Sequence, residues 1–334
     1  MSPAAESPEF PGPPGPAPAH AWVDGRIVAA DEPHVSVFDR GFQLGDGVFE
    51  TLRARAGRAV ELDAHLARLR RSAAGLGIDL ADDTDERIAA GIGALLAAEG
   101  HDGSDGDASI RITVTRGAFR GRGLLPTDEV VSPTIAIQAW PVAPPPVGHL
   151  EAGLHLVASD IRRDPANPLA ALKTTSRADF VHARLEARAA GADDAVFLTL
   201  AGQLSEATSA NVFMVRDDRL STPSLDCAIL PGTTRSWILA WAARMGLQPS
   251  EARLTVADLH GADEAFLSSS VAGILPVTRF EHRPIGDGRP GPWTRRARAD
   301  REAYVRGVAP DAPDAPSDAS ADAAAAPAPT AEPA

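Results

Sequence analysis

The chain has 334 residues, 44% apolar and 23% charged, which is enough for two ordinary domains and excludes a peptide, a coiled coil or a collagen. Its 32 basic against 45 acidic residues give a net charge of −13, which argues against nonspecific attraction to nucleic acid or to an anionic membrane. A single cysteine, Cys227, allows no internal disulfide and no thiolate metal cluster, and no apolar run approaches the ~20 residues that span a bilayer. The opening MSPAAESPEFPGPPG lacks the order of a signal peptide, so a reduced, cytoplasmic protein without nucleic-acid or membrane partners is expected. The nine histidines include no His-x-x-x-His pair, so no metal site is expected.

Residues 1–20 hold seven prolines; residues 310–334 hold six prolines, eleven alanines and five acidic residues without a basic one. Neither segment can bury a core, so both read as disordered tails. Removing their seven acidic side chains leaves the body at −6. A smaller α/β domain is expected over 21–140 and a larger one over 150–309, joined by the Pro-rich connector PVAPPPVGH at 141–149. In the first, VSVFDRG and GVFETLRA read as strands, and Leu62, Leu66, Leu69 and Ala73 recur at helical spacing with Asp63 as N-cap. A second helix over about 84–99 precedes the strands ASIRITVTRG and TIAIQAW. The second half alternates strands (LHLVASD, AVFLTL, NVFMV, EAFLSS) with helices over about 177–190 and 234–245, closed by Gly191 and Gly246.

Of the 32 basic residues, 31 are arginine and one is lysine, Lys173. Arginine replaces lysine in most surface roles, yet a guanidinium stays protonated and forms no Schiff base. Lys173 follows the turn-forming NPLAAL and precedes a helix at which Ser176 and Asp179 have capping-box spacing, an irregular junction of the kind that aims side chains into clefts. Its apolar flank predicts a partly desolvated amine. DCAILPGTTRSW reads as strand, tight turn and helix, which places Gly232, Thr233 and Thr234 at a helix N-terminus, a ready anion site. FLSSSVAG adds a hydroxyl-rich turn at Ser268, Ser269 and Ser270. Glu206, read as lying between two strands amid small residues, is a carboxylate that a flat ring can approach.

The segments DRGFQLGDGVFETLRA, HLARL, LKTTSR, LSEATSANVF, LPGTTR and SSSVAGILPV, in that order across about 39–277, resemble the class IV aminotransferase family. These fold-type IV pyridoxal-phosphate enzymes include branched-chain and D-amino-acid aminotransferases and 4-amino-4-deoxychorismate lyases. The resemblance implies a two-domain α/β (α+β) fold with pyridoxal 5′-phosphate in the interdomain cleft, normally in a homodimer. It makes Lys173 the Schiff-base lysine, Glu206 the partner of the pyridine nitrogen, and Arg68 the arginine that clamps the phosphate. Thr233, Thr234 and Ser270, with Gly232 and Ser269 beside them, match the other phosphate contacts, and Leu230 matches a leucine that supports one ring face.

Substrate recognition departs from the subgroups. Branched-chain enzymes carry a tyrosine five residues past the lysine, where this chain has Ala178; Phe49 and Leu44 stand where subgroups place tyrosines, and Tyr304 is the single tyrosine. Gly121 and Gly123 occupy the Arg-x-His positions of the D-amino-acid subgroup, with Arg120 and Arg122 adjacent. Strict alternation in Ile110–Thr115 puts Arg111 on a polar face, and some branched-chain enzymes place a carboxylate-binding arginine there. LKTTSRAD also resembles the Lys-x-x-Asn-Arg pattern of the lyases, with Arg177 retained and Ser176 in place of Asn. An aminotransferase acting on an amino acid and a 2-oxo acid is therefore expected. The alternatives are a lyase releasing pyruvate from aminodeoxychorismate, and a noncatalytic homologue, against which the intact Lys173 and Glu206 argue.

Overall fold

The computed structural model describes residues 17–126, 131–142 and 145–308. Of the expected tails over 1–20 and 310–334, residues 1–16 and 310–334 lie outside the described residues.

The first half contributes β1 (His20–Val23), β2 (Arg26–Ala29), α1 (Arg40–Leu44), β3 (Gly47–Arg55), β4 (Arg58–Ala59), α2 (Leu62–Gly75), α3 (Thr84–Ala98), β5 (Asp107–Thr115) and β6 (Thr134–Pro141). The strands form an antiparallel six-stranded sheet in the order β2-β1-β6-β5-β3-β4. Alternation in β5 buries Ala108, Ile110, Ile112 and Val114 on one face, where they meet Leu66, Leu69 and Ala73 of α2 and Ile88 and Ile92 of α3.

The second half contributes α4 (Val147–Glu151), β7 (Leu154–Arg163), α5 (Ala178–Ala189), β8 (Asp194–Thr199), β9 (Leu204–Ala207), β10 (Asn211–Arg216), β11 (Arg219–Pro223), α6 (Thr233–Arg244), β12 (Gln248–Ala252), α7 (Val256–His260), β13 (Glu264–Ser269), β14 (Gly273–Phe280), β15 (Arg283–Pro284) and α8 (Pro292–Val305). Its nine strands make a mixed sheet in the order β12-β11-β10-β13-β14-β7-β8-β9, with β15 paired to β14. The stacked rings of Phe213 and Phe266, centroids 5.1 Å apart, join Trp237, Ile238 and Trp241 of α6 in its core.

Several local expectations change. The first strand begins at His20, inside the expected tail, because Glu99 accepts from the His20 backbone N–H at 2.7 Å. VSVFDRG forms no strand: Asp39 caps α1 by accepting from the Gly41 N–H, and Gly45, in the left-handed region, closes it. Asp63 sits inside α2, whose N-cap is Glu61. The expected connector ends in α4, and its residues 143–144 lie outside the described residues. Ser176 and Asp179 form no capping box, since the N-cap of α5 is Arg177; a complete box occurs at Thr255 and Asp258 of α7. Leu225–Cys227 form a turn of 3₁₀ helix where DCAIL was read as a strand.

Two features fix the halves against each other. Residues 173–175 pair along β3: the Phe49 N–H donates to the Lys173 carbonyl and the Thr175 N–H to the Gly47 carbonyl, both at 2.9 Å. Glycine suits position 47, since a Cβ there would stand 2.8 Å from the Val114 carbonyl oxygen of β5 and 3.2 Å from the Thr175 hydroxyl of this segment. The last helix, α8, returns to the first half, where Arg301 holds Glu61 through two hydrogen bonds of 2.7 and 2.8 Å and Glu302 accepts from Arg53 at 2.9 Å.

Candidate functional site

A cleft of about 1060 Å³ is lined from both halves and collects Phe49, Arg68, Arg111, Lys173, Glu206, Leu230, Gly232, Thr233, Thr234, Ser269 and Ser270. Arg120 and Arg122 are not among them. Both are exposed on the loop after β5, with Arg120 facing the Phe38 ring at 6.0 Å, so this chain does not bring them to Lys173. Leu44 is exposed on α1, also outside the cleft.

Lys173 is placed by the pairing with β3 and by its N–H, which donates to Ser72 Oγ of α2 at 3.2 Å. Its Nζ lies 4.4 Å from the centre of the buried Phe49 ring. Burial, reinforced by the nearby Arg68 charge, lowers the amine from its ordinary value to about 7, so a large neutral fraction is present at neutral pH. The chain thereby gains a nucleophile and a proton acceptor in one atom.

Glu206 lies within β9 and is buried, where an interstrand position was expected. Its Oε2 accepts from the Leu230 N–H at 2.9 Å, and its Oε1 stands 3.6 Å from Arg163 Nη2. Burial pushes this carboxyl up, and the Arg163 guanidinium pulls it back toward the ionised form. Arg163 also donates to the carbonyls of Ala170 and Ala228 and faces the Phe180 ring at 5.0 Å.

Arg68 is buried on α2, with Nε and Nη2 each 2.7 Å from the Glu50 carboxylate and Nη1 donating to the Pro231 carbonyl at 2.9 Å. Its bidentate edge is therefore held by protein, which leaves one N–H on each Nη for an anion. Glu50 also meets His65 Nδ1 at 2.7 Å. Burial raises the Glu50 carboxyl, but the hydrogen bonds from Arg68 and His65 prevail and bring it to about 2. His65 Nε2 lies 3.3 Å from Thr233 Oγ1, which lies 3.2 Å from Ser270 Oγ. These hydroxyls ring the start of the 12-residue α6, where no side chain caps the N-terminus. Its first N–H groups and the positive end of its dipole are open to an anion. The Thr234 hydroxyl accepts from Arg301 at 3.3 Å. A Cβ on Gly232 would collide with the Asn211 side-chain oxygen, and the Asn211 amide is held by its 3.0 Å bond to the Leu230 carbonyl, so the position favours glycine. Ser268 Oγ, on the cleft wall, is buried without a partner among the described residues.

Sequence reasoning passed over Glu50, His65, Arg163, Asn211 and the role of Arg177. A signal existed for Glu50, which falls in register with Val48 and Leu52 on the buried face of β3. His65 and Arg68 similarly share the helical face of Leu62, Leu66 and Leu69.

A half-buried lysine of lowered pKa, a buried carboxylate and an open helix N-terminus ringed by hydroxyls thus share one cleft. The family model described as amino-transferase class IV matches residues 47–280. The chain belongs to the class IV aminotransferase family. Among relatives of this class IV protein, a putative branched-chain-amino-acid aminotransferase of Methanocaldococcus jannaschii is 35% identical over 276 residues, covering 82% of this chain and 92% of that one. A D-alanine aminotransferase of Bacillus licheniformis is 30% identical over 277 residues, covering 81% and 92%. The chain spans about half of another relative, branched-chain-amino-acid aminotransferase-like protein 2 of Arabidopsis thaliana, at 33% identity over 278 residues, 83% of this chain and 48% of that protein. A T.th. branched-chain amino acid aminotransferase, solved with pyridoxamine 5′-phosphate, superposes with a TM-score of 0.80 at 28% identity, covering 88% and 96%. A 4-amino-4-deoxychorismate lyase of Pseudomonas aeruginosa gives 0.70 at 32%, covering 84% and 97%.

The mixed α/β fold is that of the fold-type IV enzymes, and the cofactor of the class is pyridoxal 5′-phosphate. The residues present fit it: the Lys173 amine suits its aldehyde, the Glu206 carboxylate its ring nitrogen, and the hydroxyls and N–H groups at the start of α6, with Ser268, its phosphate. Among the described residues no group of three metal-ligating side chains occurs, and no helix is long and apolar enough to cross a membrane.

Proposed function

We propose that this class IV enzyme is an aminotransferase that moves an amino group between an amino acid and a 2-oxo acid. The observation that carries the reading is the lowered pKa of Lys173 in a cleft that also holds Glu206 and the α6 N-terminus. When bound, pyridoxal 5′-phosphate supplies an aldehyde for amine exchange and a ring that draws electrons from the substrate α-carbon. Lys173 would hold that aldehyde through its amine, and its neutral Nζ, when free, would accept and return a proton beside the substrate α-carbon. Glu206, whose carboxyl burial raises and the Arg163 charge draws back down, would hold the proton on the ring nitrogen. Arg68, Thr233, Ser270 and the α6 N–H groups would hold the phosphate, while Leu230 would support the ring. Arg111, over the Phe49 ring at 3.9 Å, would receive the substrate carboxylate.

A homodimer is proposed as well. Val37 before α1, Phe42 and Leu44 on α1, and Leu124 and Leu125 on the loop after β5 are exposed, and the two segments are joined by the Arg40 bond to the Gly123 carbonyl and the Phe119 N–H bond to the Phe38 carbonyl, which offers apolar surface to a second copy. A cytoplasmic location is proposed in keeping with the single, unpaired Cys227.

A second reading, the aminodeoxychorismate lyase, is favoured by Arg177 following Lys173 at the spacing of the lyase pattern. Borohydride reduction of the purified protein followed by peptide mapping should place the cofactor on Lys173. A panel of L- and D-amino acids and aminodeoxychorismate then separates the readings: amino transfer to a 2-oxo acid supports the first, and pyruvate release without an acceptor the second. Cofactor bound with no label on Lys173 would overturn both.

A further inference from the structure

Arg177 ends the loop that carries Lys173 and caps α5. Its guanidinium lines the cleft, donates to the Thr208 carbonyl at 3.0 Å, and has its central carbon 3.1 Å from the Phe180 ring centre and 5.8 Å from that of Phe49. Arg111 reaches the same Phe49 ring from β5 in the other half, donating to Thr113 Oγ1 at 3.3 Å. Both guanidiniums are half-buried, and neither makes an ion pair among the described residues. The neighbouring cations differ, for Arg68 is matched by Glu50 and Arg163 by Glu206.

Burial lowers the pKa of both arginines, Arg177 to about 10; at Arg177 the Glu206 and Asp179 charges oppose this, while the Arg163 and Arg111 charges add to it. The nearby carboxylates Asp179 and Glu206 are in ion-pair contact with Arg163 and with neither of these two arginines, so two partly desolvated like charges face one aromatic ring, an arrangement that an anionic ligand would relieve. A single carboxylate on Arg111 neutralises one of the two. We infer that Arg177 receives a second substrate carboxylate and so gives the cleft a preference for dicarboxylic amino and oxo acids over those with a neutral side chain. This rests on the reading of the cleft as an amino-acid site in which Arg111 takes the first carboxylate. Arg177 is suited to the role because its Thr208 bond and its stacking on Phe180 fix the guanidinium plane, leaving further N–H groups to point at an oxyanion.

The test uses the cofactor-loaded enzyme titrated with glutarate, which has two carboxylates, and 4-methylvalerate, which has one, read by the change in cofactor absorbance. Wild type should bind glutarate more tightly, and the reverse order overturns the inference whatever the variants do. Arg177→Met should weaken glutarate by about ten-fold to a hundred-fold, the loss of one charge-assisted contact, and leave 4-methylvalerate within about three-fold. Arg177→Lys should recover part of the glutarate affinity. Equal losses for both ligands would place Arg177 on the first carboxylate, and unchanged glutarate binding would leave it a packing partner of Phe180; either result overturns the assignment. A wild-type protein that takes up no cofactor would instead overturn the underlying reading of the cleft.

Discussion

The chemistry of the cleft rests on side chains whose charge the fold has altered, and Lys173 is the clearest case. Its amine falls from an ordinary 10.5 to about 7 because of burial and the Arg68 charge. Between those values the unfolded chain holds a proton that the folded chain has released, so the cofactor-free protein should gain stability as pH rises from 7 toward 10. Urea unfolding across that range should show the rise in wild type and a flatter profile in Lys173→Met. Identical slopes would mean that the amine is solvated. How much of this residue scale was legible depended on chemistry that announces itself. A lone lysine among 31 arginines does so. Glu50 announces only its burial, through its register with Val48 and Leu52, and its partners emerge only when α2 delivers His65 and Arg68 to it across the core.

Among the elements, periodicity served where one face is buried against a sheet. It located α2, α3, β5 and β6 from their apolar repeats. It failed at VSVFDRG, whose alternating valines imitate a strand although the Asp39 cap and Gly45 turn dictate one helical turn, and at β12, which shows no alternation to read and is stabilised through its pairing with β11. The start of α6 depends on a steric allowance that periodicity cannot see. Gly232 has an ordinary φ of −75°, so backbone freedom does not require glycine; the space taken by the Asn211 side chain does. Gly232→Ala should therefore displace the first turn of α6 and weaken cofactor affinity by more than about ten-fold, a loss near 1.4 kcal/mol, with little change in helix content. Equilibrium dialysis of cofactor against the variant checks this. Equal affinity would show that the Asn211 side chain gives way.

For the whole molecule, the division into two sheets follows from the change of grammar along the chain, but their junction was invisible, because the ion pairs of α8 join it to residues far back in the first half. Arg301 is buried, bonded to Glu61 at the start of α2 and to Thr234 in α6, so one side chain ties the last helix to both halves. Arg301→Met strands the Glu61 carboxylate and should cost about 3–5 kcal/mol of stability. Thermal unfolding with and without cofactor should show the loss in both, with cofactor retention reduced because Thr234 is released. An unchanged melting temperature would make α8 a passive cover.

The pairing of residues 173–175 with β3 has a mechanical meaning. Lys173 belongs to the second half by sequence and to the first sheet by hydrogen bonding, whereas Glu206 is built into the second sheet. The span between amine and carboxylate is consequently the same coordinate as the seating of one sheet on the other. Parting the halves to admit a ligand would draw a bolt, breaking the Phe49 and Thr175 backbone bonds and pulling the amine off its register. Traffic into the cleft must pass through its rim while the two halves stay locked.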